Sequence, residues 1–407
     1  MSSETLFRRI NDYANRADPY PLYAELREHG GVARQENGAY IVGTYHELTQ
    51  LLHDPRISSD TRKRDAEFRE AEQVSEDPAL SIITMDDPEH DRQRRLGMRH
   101  FGPPHSPGRI DALKDEITRI TEELAGALRG KERFDLVEEF ALPLPLTVIC
   151  RLFGVPESDV PQVHAWAVTF IESLDLSPGD EAAARRRTGQ EALKAMGAYL
   201  GELAERRRRD PGDDMLSGMA TYHGPDGQLS QAELVQLAVL LLIAGHETTV
   251  NLISNGLLTF LRDPGTYERL RAEPELMPGA VEELLRYEPP KHYLPQRTPT
   301  ADIEIAGVTV PQGAPLILII ASGNRDPLRF PDPDRFDPAR ADNIHLGFGS
   351  GIHNCFGAAL ARIQGRIALT TLLRTLDTPR LLKDPPEYRA SAILRGPRHL
   401  FIEQAAG

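Results

Sequence analysis

Cysteine is scarce in this chain: Cys150 and Cys355 are the only two among 407 residues. Two are too few for a disulfide framework, and too few for an all-cysteine zinc or iron–sulfur site. Positive charge is not in excess either. The 47 Lys and Arg stand against 61 Asp and Glu, a net charge of −14, so the surface as a whole repels phosphate backbones and a nucleic-acid partner is not expected. There is no apolar run of membrane-spanning length: the strongest, Leu237 to Ala244, falls well short of the roughly 20 residues a bilayer core requires. The N-terminus carries Arg8, Arg9, Asp12 and Arg16 and no apolar core of signal-peptide length, so neither export nor membrane association is expected, and the expected location is cytoplasmic. Internal repeats, low-complexity tracts and Gly/Ser linkers are missing too. One mixed domain spanning residues 1–407 is the expected organisation.

What is present is enough apolar residue, 40% of the chain, to bury a large core. Val32, Ala39, Ile41 and Val42 flank Asn37-Gly38, a strong hairpin signal. A second strand-like patch, Ile303, Ile305, Val308 and Val310, is punctuated by Ala306-Gly307. Apolar residues recur at helical spacing from Ile110 to Leu128, from Glu191 to Arg209 and from Ala358 to Leu376. The fold class is therefore mainly α with a smaller β-rich portion. The arginine clusters at Arg185 to Arg187 and Arg206 to Arg209 read as solvated helix faces. Cys150, inside the apolar segment Leu146 to Phe153, reads as a buried small hydrophobe.

Ser230, followed three residues later by Glu233, forms a capping-box signature before an apolar stretch, and Asp263-Pro264 supplies the stop. The spacing predicts a helix of about 32 residues, roughly 48 Å long. Ala244-Gly245-His246-Glu247-Thr248-Thr249 interrupts it with residues of poorer helix propensity. Departures from local rules inside a buried helix tend to mark functional positions. Thr248 can bond a carbonyl one turn back and distort the helix. On its own, the motif is equally compatible with satisfied core threonines and a solvent-facing Glu247.

Cys355 has a different setting from Cys150. Phe348-Gly349-Ser350-Gly351-Ile352-His353-Asn354-Cys355-Phe356-Gly357 leads into the helix expected from Ala358. Glycines at 349 and 351 permit a sharp turn and close approach to a flat ligand. A cysteine at a helix N-terminus is stabilised as thiolate by the helix dipole and free amides. Three uses remain open from these residues: a thiolate metal ligand, a nucleophile with His353 as base, or a zinc site with His345 and His353. The zinc site lacks an evident fourth ligand.

Position for position, the 348–357 segment resembles the heme-ligating signature of the cytochrome P-450 superfamily. Glu283-Leu284-Leu285-Arg286 resembles its Glu-x-x-Arg helix, and Asn324-Arg325-Asp326-Pro327 with Phe330 to Phe336 resembles the meander that follows. The resemblance spans essentially the whole chain, and its Arg-, Ala- and Pro-rich composition resembles that of soluble actinobacterial members of secondary metabolism. It implies a heme between a long distal helix and a proximal cysteine loop, with Cys355 as the iron ligand. It further implies heme b (iron protoporphyrin IX), with His90, Arg94, Arg297 and His353 holding the propionates and Glu283 and Arg286 as a structural pair. Gln364 departs from the Glu that many members carry.

By the same resemblance, Glu247 and Thr248 are the acid–alcohol pair that delivers protons during dioxygen activation. Electrons from NAD(P)H are expected through a separate ferredoxin and ferredoxin reductase, with Arg92, Arg95, Arg99 and Arg362 as a local basic patch. Pocket positions map to Ile82, Ile83, Leu240, Ile243, Ala244, Tyr293, Leu294 and Ile393. Their apolar character implies a hydrophobic substrate such as a polyketide or macrolide, a terpenoid or a steroid-like molecule, hydroxylated or epoxidised. Oxidative coupling, desaturation and a non-catalytic heme-binding role are the alternatives.

Overall fold

Asn37-Gly38 does turn the chain between two strands, Val32–Arg34 and Tyr40–Val42, paired antiparallel with Ala33 opposite Ile41. Gly38 has a φ of 80°, the left-handed conformation such a turn needs. Likewise Ala306 and Gly307, at φ 47° and 78°, join Ile303–Ile305 to Val308–Val310. The computed structural model describes residues 6–71, 81–102, 106–173 and 180–405. They fall into two units. One comprises Met1–Asp91, Glu282–Phe356 and Ala392–Arg395; the other comprises Arg92–Val281, Gly357–Ser391 and Gly396–Gly407.

The first unit is organised on a five-stranded sheet in the order Val32–Arg34, Tyr40–Val42, Leu316–Leu318, Leu294–Pro299, Ile57–Ser58. Tyr40–Val42 pairs in parallel with Leu316–Leu318, placing Ile41 beside Ile317. Because side chains alternate along a strand, Tyr40, Val42, Leu316 and Leu318 enter one core cluster with Leu48 and Leu346. Ile41 and Ile317 enter another with Leu26, Tyr23 and Tyr293. Both faces are thereby covered, as parallel pairing requires.

The second unit is helical around Gln231–Arg262, whose 32 residues start at the expected capping box: Ser230 Oγ accepts from the Glu233 amide at 3.3 Å, and Glu233 accepts from the Ser230 amide at 2.7 Å. This helix is long and apolar enough to cross a bilayer by length and composition, but 78% of its most apolar window is buried inside the protein. Pro143–Leu152, Asp180–Arg209 and Ala358–Thr375 pack against it. A small antiparallel sheet of Arg133–Asp135, Phe401–Glu403 and Arg380–Leu381 belongs to the same unit. The helix expected from Ile110 to Leu128 forms as two pieces, Pro107–Ala112 and Lys114–Gly126. The break is at Leu113, whose amide bonds Ile110 three residues back and tightens the turn. Cys150 is fully buried and burial pushes its thiol up to about 12, so it packs as a hydrophobe.

Candidate functional site

In the first unit, Cys355 sits half-accessible at the end of a loop that glycines shape. Gly349 and Gly351 adopt φ of 67° and 70°, and a Cβ on Gly351 would lie 2.1 Å from the Leu52 carbonyl oxygen, so no other residue fits there. The Cys355 amide donates to the Phe348 carbonyl at 2.9 Å, and the Asn354 amide to that of Gly351 at 3.0 Å, closing the loop on itself. The helix Ala358–Thr375 begins three residues further along the chain, and Gly357 before it offers no side-chain cap.

The loop is anchored through Glu283 and Arg286, both fully buried. Arg286 donates to the Glu283 carboxylate through Nε at 2.8 Å and Nη2 at 2.7 Å. Its remaining donors reach the carbonyls of Asn324 at 2.9 Å, Pro333 at 2.8 Å and Arg335 at 3.2 Å. Glu283 also accepts from the Asp337 amide at 3.0 Å, from Arg340 Nε at 3.0 Å and from Asn343 at 3.2 Å. Asn324 in turn accepts from the Leu346 amide at 2.7 Å, just before the cysteine loop. A bidentate, fully hydrogen-bonded ion pair of this kind holds its geometry strongly.

Cationic and hydrogen-bonding groups gather in the same unit. The His90 and His353 rings lie 4.3 Å apart, and His353 Nε2 is 2.9 Å from Ser59 Oγ. Arg297 is buried in the strand Leu294–Pro299, opposite Leu316; burial pulls its pKa down to about 10, against the pull of Asp86. Such a set suits buried carboxylates.

The residues expected to deliver protons lie in the second unit. Leu240, Ile243, Ala244 and Thr248 form an accessible stripe on a helix whose neighbouring residues Leu241, Leu242, His246 and Glu247 are buried. Thr248 Oγ1 donates to the Ala244 carbonyl at 2.7 Å, the back-bond expected of it, without breaking the helix. Glu247 does not face solvent: it is buried, with Arg389 Nε 2.8 Å from its carboxylate. The two are close but not aligned for a hydrogen bond. Burial raises the Glu247 pKa, and Arg389 opposes this. His246 is also buried, and burial, with His164 and Arg389 nearby, lowers its pKa to about 3, keeping it neutral.

The model of the family described as Cytochrome P450 matches residues 182–402. The chain is 37% identical to "Cytochrome P450 monooxygenase PikC" of Streptomyces venezuelae, covering 96% of this chain and 92% of that protein. The chain belongs to the cytochrome P450 family. It is 38% identical to the "Vitamin D(3) 25-hydroxylase" of Pseudonocardia autotrophica, over 93% of this chain and 92% of that one. Among solved structures, ligand-free Mycobacterium smegmatis CYP164A2 is 36% identical, with a TM-score of 0.89, covering 98% of this chain and all of that chain. The fold and the monooxygenase activity are thus those of a P450, and P450 chemistry uses heme. The residues fit that cofactor: a lone accessible cysteine on a glycine-shaped loop, and a cationic cluster in the same unit. Zinc does not fit, because among the described residues Cys355 is in no group of three metal-ligating side chains.

Several expectations need adjustment. Tyr293, mapped to the pocket, belongs to a core cluster of the first unit: its ring packs edge-on to Phe7 and its hydroxyl donates to Asn11 at 2.5 Å. Ile82 is buried and Ile83 exposed, while Leu294 and Ile393 are half-buried at the margins of the two core clusters. Of the arginines read as a basic patch, Arg92 pairs with Glu233 and Arg99 with Asp226 at 2.9 Å, so their charge is largely offset locally. Arg94 is half-buried in the helix Glu89–Met98. Gln364 is buried, its amide without a hydrogen-bond partner among the described residues. Sequence reading missed Arg389, which lies far along the chain from Glu247 in no motif.

Proposed function

We propose that Cys355 ligates the iron of heme b, that His90, Arg94, Arg297 and His353 hold its propionates, and that all 407 residues act as one catalytic domain. The observation carrying this reading is the Cys355 loop, closed by the Phe348 carbonyl and shaped by Gly351 so that one half-accessible sulfur is presented. When bound, thiolate-ligated heme supplies the reductive cleavage of dioxygen, one atom going to substrate and the other to water.

The protein's own part is positioning and proton supply. Ala244 and Leu240, with Ile243, present an apolar surface that suits a hydrophobic substrate and excludes water from it. The Thr248 hydroxyl, held by the Ala244 carbonyl at 2.7 Å, is oriented so that its oxygen can accept one hydrogen bond while its proton remains directed. Glu247 is a proton reservoir. Burial favours its neutral, proton-bearing form and raises its pKa, while Arg389 favours the ionised form.

Hydroxylation or epoxidation of a polyketide, macrolide, terpenoid or steroid-like molecule is the reaction we assign, supported by the hydroxylase name of the Pseudonocardia relative. Electrons come from NAD(P)H through a ferredoxin and its reductase, and the enzyme works in the cytoplasm. The test is the carbon monoxide difference spectrum of the reduced protein beside that of Cys355→Ala. A strongly red-shifted Soret band in the wild type that is lost in the variant is the expected result. An unshifted band in the wild type, or one that survives the substitution, overturns the assignment of Cys355.

A further inference from the structure

One cation between the Glu283–Arg286 pair and Arg297 has no part in the reaction as assigned above. Lys291 is half-accessible although Pro290, His292 and Tyr293 around it are buried. Its backbone is pinned. Lys291 bridges Leu394 antiparallel, the His292 amide donates to the Ile393 carbonyl at 2.8 Å, and the Arg395 amide donates to the Pro290 carbonyl at 2.9 Å. The Ala392–Arg395 segment is itself tied down, because the buried Arg395 guanidinium donates to the carbonyls of Arg16 at 2.8 Å and Ala17 at 2.6 Å and pairs with Glu288. A side chain on so fixed a backbone is aimed reproducibly.

Its charged neighbours are the groups assigned to the heme. The ammonium is desolvated by surrounding protein and feels the charges of Arg297 and Cys355; burial, then Arg297, bring its pKa down to about 8, and Cys355 opposes them. It therefore stays largely protonated at neutral pH. No carboxylate pairs with it among the described residues, in contrast to Lys63, which meets Asp86 at 2.7 Å. A partly desolvated cation without a carboxylate partner is offset when an anionic ligand binds beside it. Arg94, Arg297, His90 and His353 already answer the two propionates, which leaves Lys291 for something else.

We propose that Lys291 anchors an anionic group of the substrate, a carboxylate, so that the enzyme takes amphipathic acids in preference to neutral molecules of the same shape. The inference rests on the heme-thiolate reading and narrows its substrate class.

The test uses the purified holoprotein titrated with dodecanoic acid, dodecan-1-ol and methyl dodecanoate, followed both by the Soret shift and by calorimetry. Wild type should bind the acid roughly 10- to 100-fold more tightly than the alcohol or ester, the scale of a charge-assisted hydrogen bond in a dry site. Lys291→Met should erase that preference while leaving the alcohol's affinity unchanged or better, and Lys291→Arg should keep it. Equal affinities in wild type, or a preference that survives in Lys291→Met, overturn the proposal. So does heme loss confined to Lys291→Met, which would put the ammonium on a propionate instead. A normal carbon monoxide band with no acid preference sinks this inference alone, whereas a missing band in wild type sinks the heme-thiolate reading beneath it.

Discussion

Glu283 and Glu247 are both buried carboxylates beside an arginine, yet they are built in opposite ways. Around Glu283 every donor converges: Arg286 binds it through two nitrogens at 2.7 and 2.8 Å, and Arg340, Asn343 and the Asp337 amide complete the shell. Around Glu247 there is one guanidinium, 2.8 Å away and misaligned, and burial raises the pKa of the acid. The saturated pair has no spare valence and can only hold shape. The unsaturated pair keeps lone pairs available, which is what the proposed relay needs and a scaffold does not. Saturation of hydrogen bonds thus distinguishes the two buried carboxylates, Glu283 and Glu247.

The largest effect should come from the saturated pair. Glu283→Ala leaves the Arg286 guanidinium buried without its counterion and should cost about 3–5 kcal/mol, read as a lower denaturation midpoint with poor heme retention. A loss under about 1 kcal/mol would mean that the meander carbonyls alone suffice for Arg286. The unsaturated pair should behave in reverse. Glu247→Gln and Thr248→Ala should leave the denaturation midpoint nearly unchanged while lowering product formed per electron consumed by roughly 10- to 100-fold, the lost electrons appearing as peroxide. Full coupling in either variant would remove that residue from proton delivery.

A smaller, pH-dependent effect sharpens the contrast, because His246 sits next to Glu247 and is held neutral by burial. Its folded pKa of about 3 lies below the unfolded value of about 6.5, so between these limits the unfolded chain binds more protons, and stability falls as pH drops through that window. From pH 7 to pH 5, this one group should lower stability by about 2 kcal/mol. His246→Leu should remove that share of the acid sensitivity in paired denaturant titrations. An identical slope in both proteins would mean that His246 is protonated in the fold.

Much of the fold was readable because it is written in local rules. The Asn37-Gly38 turn, the Ser230–Glu233 box and the Asp263-Pro264 stop each act over a few residues, and each formed where expected. The Ile110–Leu128 helix broke at Leu113 because apolar period alone does not report a local tightening of the turn. The surroundings of Tyr293 were not legible for a related reason. An aromatic in a pocket-lining stretch looks the same whether its hydroxyl faces a ligand or, as here, Asn11.

By itself the sequence determined the helical class, the bounds of the long helix and the cysteine loop, since caps, glycine conformations and apolar period are short-range properties of the chain. Tertiary structure alone decided which buried carboxylate would be saturated, that Arg389 rather than solvent meets Glu247, and that the Lys291 backbone is pinned to the distant segment 393–395. Those facts depend on groups brought together from distant parts of the chain, where the energy of a charge is set by what surrounds it and not by its neighbours in sequence.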